Sequence, residues 1–170
     1  QLWEQEAREL RGATLRALYD EIERPLIPVL ASMERHGVTV DPARLAEFSK
    51  ELDRSLGNLT GEIYTLAGEQ FNLGSPKQLA TILFEKLKLP PLRKTKTGYS
   101  TDADVLEQLA LGHELPAKII EHRTLAKLKS TYADSLPTLI NARTGRIHPS
   151  FNQLVAVTGR LSSSNPNAQN

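Results

Sequence analysis

The stretch Asp41 to Ala67, with the sequence DPARLAEFSKELDRSLGNLTGEIYTLA, decides the fold of this chain. Asp41 offers an N-cap carboxylate, and Pro42 takes the first helical position, where a missing N–H costs no hydrogen bond. Apolar side chains then recur at steps of three and four residues. The stretch predicts a long amphipathic helix with one apolar stripe that packs against a partner helix. The residues of the stripe are Leu45, Phe48, Leu52, Leu56, Leu59, Ile63 and Leu66.

Three glycines bear on where this helix ends and where it is least stable. Gly68 follows the last apolar residues of the pattern and predicts the end of the helix. Gly57 and Gly61 lie inside the pattern, where each costs roughly 1 kcal/mol relative to alanine. We therefore expect the helix to be loosened or kinked near these two residues.

A second long helix is predicted to begin at Pro116 and to run to about Leu136. Its apolar residues recur at steps of three and four, so they fall on one side, opposite a side that carries cations and hydroxyls. The polar side contains little acid, which favours anion binding, with an ordinary solvated helix face as the alternative. The apolar residues are Leu125, Leu128, Tyr132 and Leu136, and the polar ones are Arg123, Lys127, Ser130 and Thr131.

Two short helices and a basic loop separate the long helices. Ser75-Pro76-Lys77-Gln78 has the form of a capping box, in which the serine caps and Gln78 reaches back to it. Pro90-Pro91 ends that helix, and Thr101 is placed to cap the next one. Residues 86–101 contain five Lys and Arg and no acid. Helix N-termini, hydroxyls and ammonium groups together favour phosphate binding without sequence readout.

The predicted elements outside the two long helices are shorter. Leu2–Tyr19 has helical spacing, and the helix after it ends at Gly37 following a start that Pro25 and Pro28 bend or delay. Residues 146–157 alternate and are rich in β-branched side chains, which predicts two antiparallel strands or one bent strand. The fold class is therefore mainly α with a small antiparallel β element. Two long antiparallel helices carry a short helical tip between them, and the strands belong to another layer.

The charge of the chain is unevenly distributed. Residues 1–70 carry 8 Lys and Arg against 13 Asp and Glu, whereas residues 71–170 carry 13 against 7. A polyanion is expected to bind the basic half. The chain has no cysteine and its four histidines show no H-x-x-x-H pairing, so no metal site is predicted. Neither a long apolar span nor a leader pattern occurs, which makes the cytoplasm the expected location and a membrane partner unexpected.

The stretch Thr158 to Asn170 contains no carboxylate, one guanidinium and four side-chain amides. This set suits hydrogen bonding to phosphates and base edges but offers no general base. Lys96-Thr97-Gly98 and Ser163-Ser164-Asn165 match two signatures of penicillin-binding serine enzymes, but in the wrong order and without any Ser-x-x-Lys, so that enzyme class is excluded. A purely structural helical hairpin explains the apolar stripes but not this stretch. A clamp that holds nucleic acid explains both.

Eight sequence blocks closely resemble the family A DNA polymerases, above all their bacterial members, and follow one another in the order of that family. The resemblance runs from about residue 20 to the end of the chain. The blocks are Ile22-Glu23-x-Pro25-Leu26, Gly37-Val38-x-Val40-Asp41, Phe71-Asn72-x-x-Ser75-Pro76-Lys77-Gln78-Leu79, Ile82-Leu83-Phe84-Glu85-Lys86-Leu87, Lys94-Thr95-x-Thr97-Gly98, Arg123-x-Leu125-x-Lys127-Leu128-Lys129-Ser130-Thr131-Tyr132, Thr144-Gly145-Arg146-Ile147-His148 and Thr158-Gly159-Arg160-Leu161-Ser162-Ser163.

The resemblance implies a division of the chain into parts of a polymerase. Residues 1–19 are implied to be the last helix of a preceding 3′–5′ exonuclease-like domain, and residues 20–40 a connector at the start of the polymerase domain. Residues 41–137 are implied to be the thumb, and residues 138–170 the start of an incomplete palm. The implied function is DNA-directed DNA synthesis in replication and repair, in which this part grips primer–template duplex. A stand-alone, non-catalytic duplex-binding module is the alternative.

The resemblance also implies which residues contact DNA. The implied phosphate contacts at the tip of the thumb are Lys94, Lys96 and Ser100, and those along the primer side are Arg123, Lys127 and Thr131. Arg160 is implied to reach into the minor groove at the primer terminus, with Asn167 and Gln169 bonding the template side and nearby groove edges. The family usually has leucine at the position of Ala168 and small or threonine-rich residues at 154–157, so the packing beneath the primer-binding segment is expected to differ.

Magnesium enters only as a property that the resemblance implies for the whole enzyme. The aspartates that bind two Mg²⁺ ions, and the lysine that binds the incoming nucleotide, are implied to follow residue 170. We therefore expect no catalytic residue in this chain and no DNA synthesis by it alone. The implied partners are primer–template DNA, dNTP and the rest of the polymerase chain, and the implied location is the cytoplasm with the nucleoid.

Overall fold

The computed structural model describes residues 13–95 and 98–169. The chain divides into two compact units. We call Pro42–Ser135 the helical unit, and residues up to Asp41 together with those from Leu136 onward the strand unit. Among the described residues the chain is mainly helical, with three two-stranded antiparallel pairs, which confirms the predicted fold class. None of the described helices combines the length and the apolar character that a bilayer crossing requires.

The described part of the strand unit starts with one helical stretch that contains both prolines. It consists of α1 (Ala13–Leu18), a π-helical turn (Tyr19–Glu23) and α2 (Arg24–His36). The expected delay at the prolines is wrong, because the π turn precedes Pro25 and helix α2 continues through Pro28. Of the predicted helix Leu2–Tyr19, the part before Ala13 lies outside the described residues.

Gly37 ends α2, as predicted, and allows a close approach of two backbones. Its φ is +63° and its N–H donates to the Met33 carbonyl at 2.8 Å. A Cβ at this position would lie 2.5 Å from the carbonyl oxygen of Ile147, so only glycine fits. The connector after Gly37 is extended, and Val38–Thr39 forms strand β1.

In the helical unit, α3 (Pro42–Ala67) covers the whole stretch that predicted it. Leu52, Leu59 and Ile63 of its stripe are buried, and the other stripe residues are half-buried. Gly68, with φ +71°, follows the last helical residue. The expected loosening at the two internal glycines is wrong, because both are exposed and the helix continues through them without a break.

The short helix α4 (Pro76–Ala80) begins at the predicted cap. The Ser75 hydroxyl accepts from the Gln78 N–H at 3.4 Å. The amide oxygen of Gln78 does not return to Ser75, however, but accepts from the Asn72 N–H at 2.7 Å, because the Ser75 N–H already donates to the Asn72 carbonyl at 3.0 Å. A π-helical segment (Thr81–Lys86) continues the chain after α4.

The predicted basic loop contains a small hairpin of β2 (Lys94–Thr95) and β3 (Gly98–Tyr99). Lys94 pairs with Tyr99 in this hairpin. Helix α5 (Ala103–Ala110) then begins one residue later than predicted, with Asp102 at the cap position. Thr101 is buried instead of capping.

Helix α6 (Glu114–Leu128) begins before the predicted Pro116, because the His113 ring nitrogen accepts from the Leu115 N–H at 3.1 Å. A π-helical turn (Lys129–Ala133) follows, and Leu136–Leu139 is a separate 3₁₀ turn. The prediction of one regular helix to Leu136 is therefore wrong. Since a π turn closes i→i+5 hydrogen bonds, the angular spacing used for residues beyond Leu128 does not hold.

Helices α3 and α6 are antiparallel and packed on one core. The Lys118 ammonium lies 2.7 Å from the Glu62 carboxylate, and Lys129, the first residue after α6, lies 3.4 Å from the carboxylate of Asp53, which is earlier in α3 than Glu62. Lys129 also contacts Asp134 at 2.8 Å and the Ser49 hydroxyl at 2.9 Å. The core is formed by Ile63, Ala67, Leu79, Ile82, Leu83, Phe84, Val105, Leu106, Leu109, Leu115 and Ile119.

The strands of the strand unit pair differently from the prediction. Strand β4 (Arg146–Ile147) pairs with β1, and β5 (Ser150–Asn152) pairs with β6 (Ser162–Ser164). Residues 146–157 thus supply two short strands that bond to other segments and not to each other. The alternation in the sequence marked extended backbone but carried no information about distant partners.

We expect Lys129→Met to lower the melting temperature of the chain more than Lys127→Met, because only Lys129 bridges α3 and the turn after α6. Hydrogen bonding and charge from Lys129 lower the pKa of Asp134 and those from Asp134 raise the pKa of Lys129. The contribution of Asp134 is therefore present at neutral pH and is lost as the pH falls below about 4. The difference between wild type and Lys129→Met should shrink over that range in thermal melts, and a difference independent of pH would contradict the prediction.

Candidate nucleic-acid interface

The hairpin presents Lys94 at the surface of the helical unit. Its ammonium lies 5.6 Å from the centroid of the Tyr99 ring, within the range of a cation–π contact. Lys94 has no ion pair among the described residues. Lys96 lies outside the described residues.

Ser100 is not presented to solvent. It is 3% exposed, and its hydroxyl accepts from the Arg93 guanidinium and from the Asp102 N–H, both at 3.2 Å. Arg93 also forms an ion pair with Asp102. Hydrogen bonding with Ser100, together with the nearby guanidiniums of Arg93 and Arg123, lowers the pKa of Asp102 below its ordinary value despite partial desolvation.

Arg123 points toward the helical tip. Its guanidinium donates to the Thr101 carbonyl at 2.6 Å, which ties α6 to the start of α5. Burial lowers the pKa of Arg123, and the charge of Asp102 partly opposes this effect. The side chains of Lys127 and Thr131 are exposed. Arg123 is therefore bonded within the chain, whereas Lys127 and Thr131 are open to solvent. Their common position along the primer side stays a prediction.

A cleft of about 720 Å³ lies beside the hairpin. It brings Arg123 together with Lys77 and with Ser100 and Asp102, which come from three separate parts of the sequence. A ligand in this cleft meets the cations Lys77 and Arg123 and the carboxylates Glu85 and Asp102, so the charges of its lining balance. The sequence analysis did not select Lys77 or Arg93 as a DNA contact, although Arg93 lies in the acid-free run of residues 86–101.

In the strand unit, Arg160 is exposed and has no hydrogen bond or ion pair with any described residue. It lies two residues before the start of β6 and follows Gly159, which has φ +75° and donates its N–H to the Ala156 carbonyl at 3.1 Å. The turn at Gly159 fixes where the backbone of Arg160 emerges, while its guanidinium retains all of its donors. Nearby, three of the residues that differ from the usual family pattern are exposed, namely Leu154, Val155 and Val157.

A buried hydroxyl holds the segment after β6. Ser163 donates to the Pro166 carbonyl and accepts from the Ala168 N–H, both at 3.2 Å. The Asn167 side-chain oxygen accepts from the Gln169 N–H at 3.0 Å, and the Gln169 amide donates to the Leu161 carbonyl at 2.6 Å. Both amide side chains are exposed, but each already has one intramolecular bond, so Arg160 is the least constrained of the three predicted groups.

Two glutamates, one from the π turn before α2 and one from α2, position the strands that flank Arg160. The Glu34 carboxylate accepts from the Phe151 N–H at 2.7 Å. The Gln153 amide donates to the Glu23 carbonyl at 2.9 Å and to its side chain at 2.6 Å. Strand β5 is thereby fixed on the helix, and β6 pairs with β5. Glu23 lies in one of the family-like blocks, but nothing in the sequence indicated a bond to Gln153.

Within residues 13–95 and 98–169, no group of three or more His, Asp or Glu side chains is placed to hold a metal ion. The described residues therefore do not fit the Mg²⁺ that the family resemblance implied. No step of a reaction through a metal can be derived from them.

Comparison with known proteins assigns the chain to one family. A model described as DNA polymerase family A matches residues 42–170. DNA polymerase I of Caldicellulosiruptor bescii is 49% identical over 169 residues, which cover 99% of this chain and 20% of that protein. DNA polymerase I of Synechocystis sp. is 55% identical over 158 residues, covering 92% and 16%. The thermostable DNA polymerase I of Thermus thermophilus is 53% identical over 155 residues, covering 90% and 19%.

One solved structure shares the fold of this chain. It is described as the POL domain of Pol1 from M. smegmatis in complex with DNA primer-template and dNTP. The TM-score is 0.82 at 41% identity, and the match covers 96% of this chain and 29% of the other. The chain spans at most about a fifth of the length of the curated relatives described above.

We expect Glu34→Ala to lower the free energy of unfolding by roughly 1–2 kcal/mol, because the Phe151 N–H loses its acceptor. Glu34→Gln keeps a side-chain oxygen in place and serves as the matched control, with a much smaller loss. Chemical denaturation measures the stability, and hydrogen exchange at Phe151 reports the bond itself. Equal exchange rates in the two variants would contradict the assigned role of the carboxylate.

Proposed function

This chain belongs to DNA polymerase family A, and from that premise we propose that it is the part of a DNA-directed DNA polymerase that grips primer–template duplex. In this proposal residues 41–137 are the thumb, residues 138–170 begin the palm, residues 20–40 connect to the polymerase domain, and residues 1–19 end a preceding exonuclease-like domain. The observation that carries the proposal is the likeness, at 41% identity, to a polymerase domain described in complex with primer-template DNA and dNTP. The whole enzyme acts in replication and repair at the nucleoid.

The helical unit contributes phosphate contacts in this proposal. Lys94 and Lys127 are exposed cations without ion pairs among the described residues, so each can replace a counterion of the duplex. Contacts of this kind position the DNA but carry no sequence information. They suit a polymerase, which has to hold any sequence with equal strength.

The strand unit contributes the contact at the primer terminus. Purine N3 and pyrimidine O2 present acceptors at similar places in the minor groove of all base pairs. The exposed guanidinium of Arg160 is a donor that can test for these acceptors, and so for the shape of a correct pair, without naming the base. No group of the described residues is placed to hold a metal ion, so we assign no step of the Mg²⁺-dependent bond formation between nucleotides to them.

The isolated 170-residue chain is expected to bind primer–template duplex weakly and in a salt-sensitive manner. Each phosphate contact contributes about −0.9 to the slope of log K against log salt concentration. Fluorescence anisotropy with labelled duplex at several salt concentrations measures this slope, and equal affinity at low and high salt would contradict the proposal. With Mg²⁺ and dNTP present, the primer should remain unextended; extension would instead support catalysis within this chain. If the complete protein also binds duplex but never extends a primer, the alternative of a non-catalytic module is favoured.

In the complete polymerase, Arg160→Ala is expected to slow primer extension more than it weakens DNA binding, because the guanidinium acts at the terminus where the pair is tested. Arg143→Ala removes another exposed arginine of the strand unit and should change neither quantity appreciably. Single-turnover extension rates and duplex affinities are measured for the wild type, Arg160→Ala and Arg143→Ala. An unchanged extension rate in Arg160→Ala would contradict the minor-groove role.

A further inference from the structure

Arg93 and Asp102 enclose the hairpin that carries Lys94. Arg93 immediately precedes β2, and the Ser100 N–H donates to the Arg93 carbonyl at 2.9 Å, which closes the base of the hairpin. The Arg93 guanidinium pairs with the Asp102 carboxylate and donates to the Ser100 hydroxyl. The side chains of Arg93 and Asp102 are 52% and 65% exposed.

This ion pair differs from the ion pairs that Lys129 forms directly after α6. Lys129 is only 19% exposed and contacts two aspartates and a serine from two elements, so it stabilises the packing of the helices. Exposed pairs contribute little to stability because water and salt screen them. The partner of Arg93 can therefore be exchanged for another anion while the fold stays intact.

A duplex phosphate is such an anion. A guanidinium binds phosphate oxygens through two parallel hydrogen bonds, as it binds a carboxylate. A phosphate that approaches the hairpin beside Lys94 cannot reach the buried hydroxyl of Ser100, whose partners already lie within the chain. The guanidinium of Arg93, by contrast, is exposed and open to a phosphate.

We propose that Asp102 is an internal substitute for a DNA phosphate, which holds Arg93 at the tip until a duplex phosphate replaces it. Arg93 then acts beside Lys94 in the role that the family resemblance gave to Ser100. The inference rests on the proposed function, because its ligand is the phosphate backbone of primer–template duplex. In this proposal Asp102 weakens DNA binding, because its ion pair with Arg93 has to open whenever DNA binds. Its carboxylate then also remains close to the bound phosphate.

Asp102→Asn tests the proposal in the 170-residue chain. Asparagine is an equally good N-cap residue and keeps an oxygen beside Arg93, so the start of α5 is preserved. We expect the variant to bind labelled primer–template duplex roughly threefold to tenfold more tightly at 50 mM salt, with a log–log salt slope steeper by about 0.9. The double variant Arg93→Ala/Asp102→Asn should lose both gains.

Asp104→Asn is the matched control. It removes one negative charge from the first turn of α5, but Asp104 has no ion pair among the described residues. We expect a smaller gain in affinity that does not depend on Arg93. Unchanged or weaker binding by Asp102→Asn, or a gain no larger than that of Asp104→Asn, would overturn the inference. If the wild-type chain itself shows no salt-sensitive binding, the proposed function and this inference both fail. If the wild-type chain binds as expected but Asp102→Asn does not bind more tightly, only this inference fails.

Discussion

The burial of one face of α3 is the constraint on which the helical unit depends. Ile63 is completely buried, and full burial of a side chain of this size contributes roughly 1.5–3 kcal/mol. The same core includes Phe84, whose ring packs edge-on against Tyr99 with centroids 5.2 Å apart. Since Tyr99 pairs with Lys94 across the hairpin, the position of this surface cation follows from the packing of the core through two contacts.

A different constraint governs the strand unit. The close approach of Gly37 to the Ile147 carbonyl lets β1 and β4 pair directly after the end of α2. The carboxylate of Glu34 then fixes β5, and β5 fixes β6. Few apolar residues are buried in the described part of this unit, and backbone hydrogen bonds to helix side chains hold its strands in place. Arg160 emerges from this bonded framework with its own guanidinium uncommitted.

The sequence predicted the elements whose cause is local and missed those whose cause is distant. The stripe, the Ser75 cap and the end at Gly68 depend on neighbours within a few residues, and all three are confirmed. The π turn after Leu128 was missed, because a single inserted i→i+5 turn leaves no mark on apolar spacing. The pairing of residues 146–157 was wrong for a related reason, since short strands with few side chains specify their partners weakly.

The residues of the candidate site also fall into those whose environment the sequence predicts and those whose environment depends on distant contacts. Exposure of Lys94, Lys127 and Arg160 could be expected from charge alone, because isolated cations stay in water. The inward turn of Arg123 and the burial of Ser100 could not, because both depend on a carbonyl or a guanidinium brought close by folding. A basic run thus contains two kinds of cation. Those without an internal partner can replace a counterion of the duplex directly, whereas Arg93 first has to leave Asp102. The number of cations that reach a phosphate, and not the total, determines how steeply binding depends on salt.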